Sequence, residues 1–240
     1  MQTRPLVFAH RGASAYAPEN TFAAFDLAIE MGAPAIETDV RATADSHLVL
    51  MHDERVDRTT DGHGKVSDLT LAELRALDAG AWFGRELAGQ RVPTVEEFLA
   101  RYGGRLPICL EVKAPDVEGH LLDLVRAAGL LAKVELTSFS LDIVARLCDL
   151  APEAKVGYLT PRLDEEAIAQ TVAVGARQIC PKAEALTPDR IRAARAAGLE
   201  VRAWGVGDDD LLARAVALGV DGFTTNWPDR ALRMLGQRAP

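Results

Sequence analysis

The chain has 240 residues, of which 48% are hydrophobic and 26% are charged, and its formal net charge is −8 at pH 7. This composition supplies enough apolar side chains for a globular core and excludes a disordered chain. The negative charge argues against nucleic acid and anionic membranes as partners, so an anionic ligand would need a local positive site or a metal. No apolar run approaches the roughly 20 residues of a membrane span.

The chain starts with MQTRPLVFAH, which enters a strand pattern at once and has no apolar segment typical of a signal peptide. Its three cysteines, Cys109, Cys148 and Cys180, have no paired spacing. Such cysteines are typical of buried free thiols in a reducing compartment rather than of disulfides or zinc ligands. We therefore expect a cytoplasmic protein without stable membrane association. The sequence does not indicate its oligomeric state.

Short apolar segments alternate with stretches of helical periodicity along the whole chain. The predicted strands are LVFAH, AIETDV, ICLEV, VELTSF, KVGYL, RQICP, EVRAW and GVDGFTT. Glycines follow several of the helical stretches where a helix commonly ends, at Gly32, Gly129, Gly175, Gly198 and Gly219. This alternation predicts a parallel sheet, and about eight such units predict an α/β fold, a single (β/α)₈ TIM-barrel domain over residues 1–240. A doubly wound open sheet is the alternative, which the absence of G-x-G-x-x-G after the first strand disfavours.

A long segment interrupts this alternation after the second strand. It covers approximately residues 54–93, is rich in Gly, Asp and Thr, and contains a predicted short helix at LTLAELRAL. A capping box from Thr94 to Glu97 then marks the start of the next helix. Because a connection of about forty residues inside a compact barrel is usually functional, we predict an insertion that folds over one mouth of the barrel.

Polar residues occur where the predicted strands end, which is where TIM barrels carry their catalytic groups. They are His10, Arg11, Glu37, Asp39, His52, Asp53, Glu111 and Lys113. Glu37 and Asp39 are two residues apart and therefore face the same side of their strand, and Glu111 and Lys113 repeat that spacing. The pattern predicts that these acidic residues, basic residues and histidines cluster at one mouth of the barrel.

Three carboxylates in such a cluster would repel one another unless a cation lay between them. Glu37, Asp39 and Glu111 are therefore candidate ligands for a hard divalent metal, Mg²⁺ or Ca²⁺. Zinc would recruit histidine or cysteine more directly, and His10 or His52 could serve it. Structural ion pairs with neighbouring arginines and lysines are the alternative interpretation, which is weaker for three acids together than for one.

The two histidines are candidates for an acid–base pair. Imidazole titrates near neutral pH, so one ring can accept a proton while the other donates one. Arg11 and Lys113 supply the positive charge that a phosphate oxyanion requires. Together with a metal, His10 and His52 would equip the mouth for attack on a phosphodiester.

The sequence resembles the glycerophosphodiester phosphodiesterase family of phospholipase C-like TIM barrels. The matching motifs are AHRGASAYAPENT, ETD at 37–39, MHDERVDRTTDGHGKVSDLTLAELRALDAG, RVPTVEEFL, LEVK at 110–113 and SF at 138–139. The motifs match in order through about the fourth strand and more weakly beyond it. The resemblance implies a barrel with an insertion after the second strand and hydrolysis of a small glycerophosphodiester to an alcohol and sn-glycerol 3-phosphate.

The resemblance also implies roles for individual residues. They are metal ligation by Glu37, Asp39 and Glu111, acid–base catalysis by His10 and His52, phosphate contacts by Arg11 and Lys113, and lining of the polyol pocket by Trp204 and Phe139. Core packing is the alternative role for the two aromatic residues. The nucleophile is either water or an adjacent hydroxyl of the substrate, which would pass through a cyclic phosphate.

The sequence departs from the family pattern in its C-terminal half. Gly205-Val206-Gly207 follows Trp204 where relatives usually carry Thr-Val-Asn, and Asn226 stands where they usually carry an acid. Arg202 shares the face of Trp204 without a predicted partner, and either it or Lys182 could contact the substrate.

Two other functions fit the same residues less well. A related barrel phosphodiesterase acting on lyso-phospholipids or phosphoinositides would use the same groups, but no basic amphipathic segment favours binding to a lipid interface. A catalytically silent phosphoester-binding protein would need the charges but not the pair His10 and His52.

Overall fold

The computed structural model describes residues 4–236, in which the apolar segments form nine strands. Their bounds are β1 Leu6–His10, β2 Ala35–Ala42, β3 Leu48–Leu50, β4 Ile108–Val112, β5 Val134–Ser138, β6 Lys155–Thr160, β7 Gln178–Pro181, β8 Glu200–Ala203 and β9 Gly222–Thr225. All except β3 are parallel, and β1 pairs with both β2 and β9, so the sheet closes on itself. The predicted TIM barrel is confirmed.

Helices follow the barrel strands and pack outside them. Their bounds are α1 Phe22–Glu30, α2 Leu71–Ala76, α3 Val95–Tyr102, α4 Glu118–Ala127, α5 Leu141–Leu150, α6 Glu165–Ala173, α7 Pro188–Ala196, α8 Asp209–Ala217 and α9 Pro228–Met234. The predicted capping box is present, since the Thr94 hydroxyl accepts from the Glu97 amide and the Glu97 carboxylate accepts from the Thr94 amide. The five predicted helix-ending glycines have φ between 67° and 82°, the left-handed region that glycine adopts without strain. Among residues 4–236, no helix combines the length and apolar character needed to cross a membrane.

The core lies between the outside of the strands and the helices. Strands β4 and β5 are buried along their full length, as expected for a parallel sheet covered on both faces. Phe25 of α1 meets Phe98 of α3 edge to face with ring centroids 4.8 Å apart, and Tyr102 packs against both rings. Burial of such side chains contributes about 1.5–3 kcal/mol each, which holds the helices in place around the barrel.

The insertion has a small core of its own beside β3, which runs antiparallel to β2. Its helix α2 confirms the predicted short helix, and 3₁₀ turns form at Val66–Asp68 and Arg85–Leu87. Apolar side chains that include Val56, Val66 and Leu74 are fully buried against β3. Because β3 pairs with the carboxyl end of β2, the insertion lies at that end of the barrel.

The barrel interior explains why Arg202 had no partner in the sequence pattern. Its side chain is 2% exposed, its Nε donates to Gln178 Oε1 at 3.1 Å, and it lies 3.7 Å from Glu135 Oε2. The guanidinium also stacks 5.1 Å from the centre of the Phe8 ring. Arg202 is therefore an interior residue whose counter-charge comes from β5, three strands away around the barrel.

The cysteines allow a test of the interior packing. A thiol reagent such as iodoacetamide should modify Cys148 in the folded protein and leave Cys109 and Cys180 intact. Cys148 is partly exposed, whereas the other two are buried, and burial raises the pKa of the Cys180 thiol to about 11. Peptide mass mapping before and after unfolding measures this, and all three cysteines should react once unfolded. Modification of Cys180 ahead of Cys148 in the native protein would contradict the described packing.

Candidate active site

A cavity of about 220 Å³ opens at the carboxyl ends of the barrel strands. The predicted site residues that line it are His10, Arg11, Glu37, His52, Glu111, Lys113, Phe139 and Trp204. The remaining predicted ligand, Asp39, lies fully buried beside this cavity, in contact with Arg11 and Lys113. The structure therefore brings the predicted residues together at one mouth, and Arg202 forms part of the lining.

A sharp turn after β1 sets the positions of His10 and Arg11. Arg11 has φ of 57° and Gly12 has φ of 86°, and the Arg11 amide donates to the Glu37 carbonyl at 2.8 Å. A Cβ atom at Gly12 would lie 2.6 Å from the backbone of Ala24, so only glycine fits there. The left-handed Arg11 is a locally costly conformation, which the closely packed turn maintains.

The three carboxylates form a buried cluster. Glu37, Asp39 and Glu111 are 4%, 0% and 6% exposed, and each offers an oxygen within 4.8 Å of the others. Burial and the neighbouring carboxylates raise the pKa of Glu37 to about 8 and that of Glu111 to about 6. Burial also opposes ionisation of Asp39, but Arg11 and Lys113 outweigh it and hold the pKa of Asp39 well below its usual range.

The same cluster contains ion pairs, as the alternative interpretation expected. Arg11 Nε lies 3.1 Å from Asp39 Oδ2 and Lys113 Nζ lies 3.3 Å from Asp39 Oδ1, while Lys113 also pairs with Glu111. Asn20 Nδ2 donates to Asp39 Oδ2 at 3.0 Å. Both oxygens of the buried Asp39 carboxylate therefore lie beside a cationic side chain. Three buried carboxylates with oxygens this close together are nevertheless a donor set that fits a hard divalent cation.

The two histidines are held through the same ring nitrogen by different groups. His10 Nδ1 lies 2.6 Å from the amide oxygen of Asn226, and His52 Nδ1 lies 2.6 Å from the carboxylate of Asp53. Burial, reinforced by the charge of Arg11, lowers the pKa of His10 to about 4. Burial also lowers the pKa of His52, against the opposing effect of Asp39.

Arg58 of the insertion completes the surroundings of His52, and the sequence did not single it out. Its Nε donates to Asp53 Oδ2 at 2.6 Å and its terminal nitrogens donate to Glu19 at 2.8 Å. The hydrogen bond from Arg58 lowers the pKa of Asp53 to about 2. Arg58 lies in a segment with several arginines, so only the tertiary structure distinguishes it from its neighbours.

An aromatic pair forms one wall of the cavity. The rings of Phe139 and Trp204 meet edge to face with centroids 5.2 Å apart. Phe139 is 44% exposed, and the Trp204 indole donates to the carbonyl of Thr160 at 3.0 Å. Lys182 lies over the Trp204 ring at 6.0 Å and pairs with Glu184 at 3.1 Å. Both aromatic residues thus present ring surface to the cavity from strand ends.

The fold and the cavity define a TIM-barrel enzyme whose mouth combines an acidic cluster with fixed positive charges and two oriented histidines. Comparison with known proteins gives the particular class. The model of the glycerophosphoryl diester phosphodiesterase family matches residues 10–230. The chain belongs to this family, and it is a phosphoric diester hydrolase, a glycerophosphodiester phosphodiesterase.

Individual relatives are similar to this chain over nearly their full lengths. The putative glycerophosphodiester phosphodiesterase YhdW of Bacillus subtilis is 39% identical over 93% of this chain and 95% of its own. A glycerophosphodiester phosphodiesterase of Caldanaerobacter subterraneus is 34% identical over 97% of this chain and 98% of its own. The crystal structure of glycerophosphodiester phosphodiesterase from Agrobacterium tumefaciens shares 35% identity with a TM-score of 0.85, covering 94% of this chain and 97% of that one. An Oleispira antarctica phosphodiesterase, solved with the product sn-glycerol-3-phosphate, shares 27% identity with a TM-score of 0.89, covering 98% of each chain.

Proposed function

We propose that this chain hydrolyses glycerophosphodiesters to an alcohol and sn-glycerol 3-phosphate, with His10 and His52 as its acid–base pair and with a divalent cation, Mg²⁺ or Ca²⁺, required for turnover. The observation that carries the proposal is the pair of imidazole rings that face one cavity, each held through Nδ1 at 2.6 Å. A protein that only bound the phosphate would need the charges around this cavity but not two oriented rings. The product bound to the Oleispira antarctica relative supports the choice of substrate.

The proposed cation ligands are Glu37, Asp39 and Glu111. Their buried carboxylates, which offer oxygens within 4.8 Å of one another, support this assignment. A bound divalent cation would supply positive charge to the non-bridging phosphate oxygens. Arg11 and Lys113, which contact the same carboxylates, would then hold the remaining charge of the phosphate.

The partners of the two histidines support a division of labour. His10 is partly buried beside a neutral amide and Arg11, and burial and the Arg11 charge lower its pKa, so its ring is uncharged at neutral pH and can accept a proton. The Asp53 carboxylate contacts Nδ1 of the His52 ring, where it would stabilise the protonated form of the ring. We assign the base to His10 and the acid to His52.

In the cleavage step His10 removes a proton from the nucleophile, whose oxygen forms a new bond to phosphorus. The bond from phosphorus to the leaving alcohol breaks, and His52 protonates that oxygen. Water as the nucleophile yields sn-glycerol 3-phosphate directly. A neighbouring glycerol hydroxyl yields a cyclic phosphate, which a second attack by water opens. The aromatic pair Phe139 and Trp204 would pack against the carbon skeleton of the bound polyol.

A panel of glycerophosphodiesters tests the proposal. We expect the purified protein to release sn-glycerol 3-phosphate from substrates with choline, ethanolamine, glycerol or inositol groups, to stop in EDTA, and to recover when Mg²⁺ or Ca²⁺ is restored. Enzymatic assay of sn-glycerol 3-phosphate measures the release, and ¹⁸O-labelled water shows which nucleophile acts. Absence of cation-dependent release from the whole panel would overturn the proposal and favour a silent binding protein.

A further inference from the structure

The closure of the barrel places the end of the last strand against the end of the first. Strand β9 pairs with β1, and the chain continues from Thr225 into Asn226 at the mouth. Here the Asn226 side chain meets the His10 ring, with Oδ1 2.6 Å from Nδ1. Strand pairing alone accounts for the nearness of the two backbones, but it does not require a short polar contact between these two side chains.

The backbone of Asn226 is fixed independently of this contact. Its carbonyl oxygen accepts from the Ala15 amide at 3.2 Å, which ties it to the loop that follows His10. The next amide, that of Trp227, donates to the Thr225 hydroxyl at 3.3 Å, and α9 begins immediately afterwards. Because the backbone is held from both sides, the amide side chain has a defined direction from which to contact the ring. Side-chain substitutions at this position leave these backbone bonds available.

The hydrogen-bonding chemistry of this contact selects one tautomer of the neutral His10 ring. An amide oxygen accepts hydrogen bonds and does not donate them, so the proton of a neutral His10 resides on Nδ1. The lone pair then resides on Nε2, which lies 4.0 Å from Glu37 Oε2 on the cavity side. A neutral amide achieves this orientation without adding negative charge beside the ring, in contrast to Asp53 beside His52.

We propose that Asn226 is the positioning residue for His10: its amide oxygen holds Nδ1–H, so that the unprotonated Nε2 faces the substrate. This inference rests on the proposed role of His10 as general base. The role needs only an accepting oxygen beside Nδ1, which the Asn226 amide supplies here.

The kinetic test compares three substitutions in the full chain. We expect Asn226→Ala to lower kcat by about 10- to 100-fold, the range seen for partners that orient metal-bound histidines, with KM nearly unchanged. Asn226→Asp should lose less of kcat than Asn226→Ala, because a carboxylate oxygen also accepts from Nδ1–H, although its negative charge also stabilises the protonated ring. Tyr16→Phe is the matched control, since it removes an exposed 3.0 Å bond from Tyr16 to Asp229 between the same two segments without touching His10. Full activity of Asn226→Ala, or equal losses in Asn226→Ala and Asn226→Asp, would overturn the inference.

A second measurement needs no turnover. ¹⁵N NMR of the imidazole nitrogens, with the His10 signals assigned by their loss in His10→Ala, should show Nδ1 protonated and Nε2 unprotonated at alkaline pH. Asn226→Ala should lose this preference, while Tyr16→Phe keeps it. A wild-type His10 protonated on Nε2 would overturn the inference even if Asn226→Ala failed to fold. If the ring is ordered as expected but no glycerophosphodiester is cleaved, the proposed function fails and the hydrogen bond to Asn226 stands.

Discussion

Replacing His10 with alanine should lower kcat by about 10²- to 10⁴-fold on every glycerophosphodiester, and His52→Ala should do the same on natural substrates. The reason is that each ring contributes a proton transfer that no neighbouring side chain can supply from the same position. The two variants should separate on a diester with a nitrophenolate leaving group, which departs without protonation. There His52→Ala should regain most of its activity, whereas His10→Ala should stay impaired.

The chain provides a matched control in His63 of the insertion, whose side chain is 85% exposed. His63→Ala removes the same chemical group from a position outside the cavity and should leave kcat unchanged. Steady-state kinetics with natural and activated substrates measure all three variants, and circular dichroism verifies their folding. Near-normal turnover of His10→Ala with the cation present would refute the acid–base assignment, and rescue of His10→Ala alone by the activated substrate would reverse it.

Asp39→Asn should abolish the stabilisation of the folded protein by Mg²⁺ or Ca²⁺. It should also lower kcat by about 100-fold or more, because several kcal/mol of charge stabilisation at the phosphate would be lost. In the wild-type protein Mg²⁺ or Ca²⁺ should raise the unfolding temperature, because a ligand that binds only the folded state stabilises it. Without cation, the variant should lose about 3 kcal/mol of unfolding free energy, because Arg11 and Lys113 would lose a buried counter-charge.

The control for this change is Asp57→Asn, whose carboxylate is 37% exposed and pairs with Arg55 in the insertion. It makes the same chemical substitution outside the acidic cluster and should leave both the cation response and turnover intact. Thermal unfolding with and without cation, and urea titration in EDTA, measure the two effects. Equal stabilisation of wild type and Asp39→Asn by Mg²⁺ and Ca²⁺ would show that Asp39 is not a ligand.

The barrel itself was predictable because local patterns determine it. Buried parallel strands appear as short apolar runs, and helix caps such as the box at Thr94 and Glu97 mark where the helices start. The candidate site followed from one further rule, that the strand ends of a barrel face the same mouth. The direction of β3 was not predictable, because a three-residue apolar run does not indicate whether its partner is parallel or antiparallel.

Contacts between side chains that are distant in the chain could not be predicted from the sequence. Asn226 was noticed there as a departure from the family pattern, but its contact with His10 spans 216 positions and depends on barrel closure. Arg58 meets Asp53 and Glu19 only because the insertion folds back towards the mouth. Such pairs are selected by three-dimensional packing, and a periodicity of 2 or 3.6 residues carries no information about them.

The pairing of β9 with β1 has a consequence for how the enzyme becomes active. Both neighbours of β1 contribute to the mouth, Glu37 through β2 and Asn226 through β9. During folding, the latter contact joins residues 216 positions apart, and contacts between residues so distant in sequence are among the slowest to form in assembling a domain. With the proposed role of Asn226, full turnover requires the ring of strands to be closed, and a partly assembled barrel whose acidic cluster had already formed would turn over poorly.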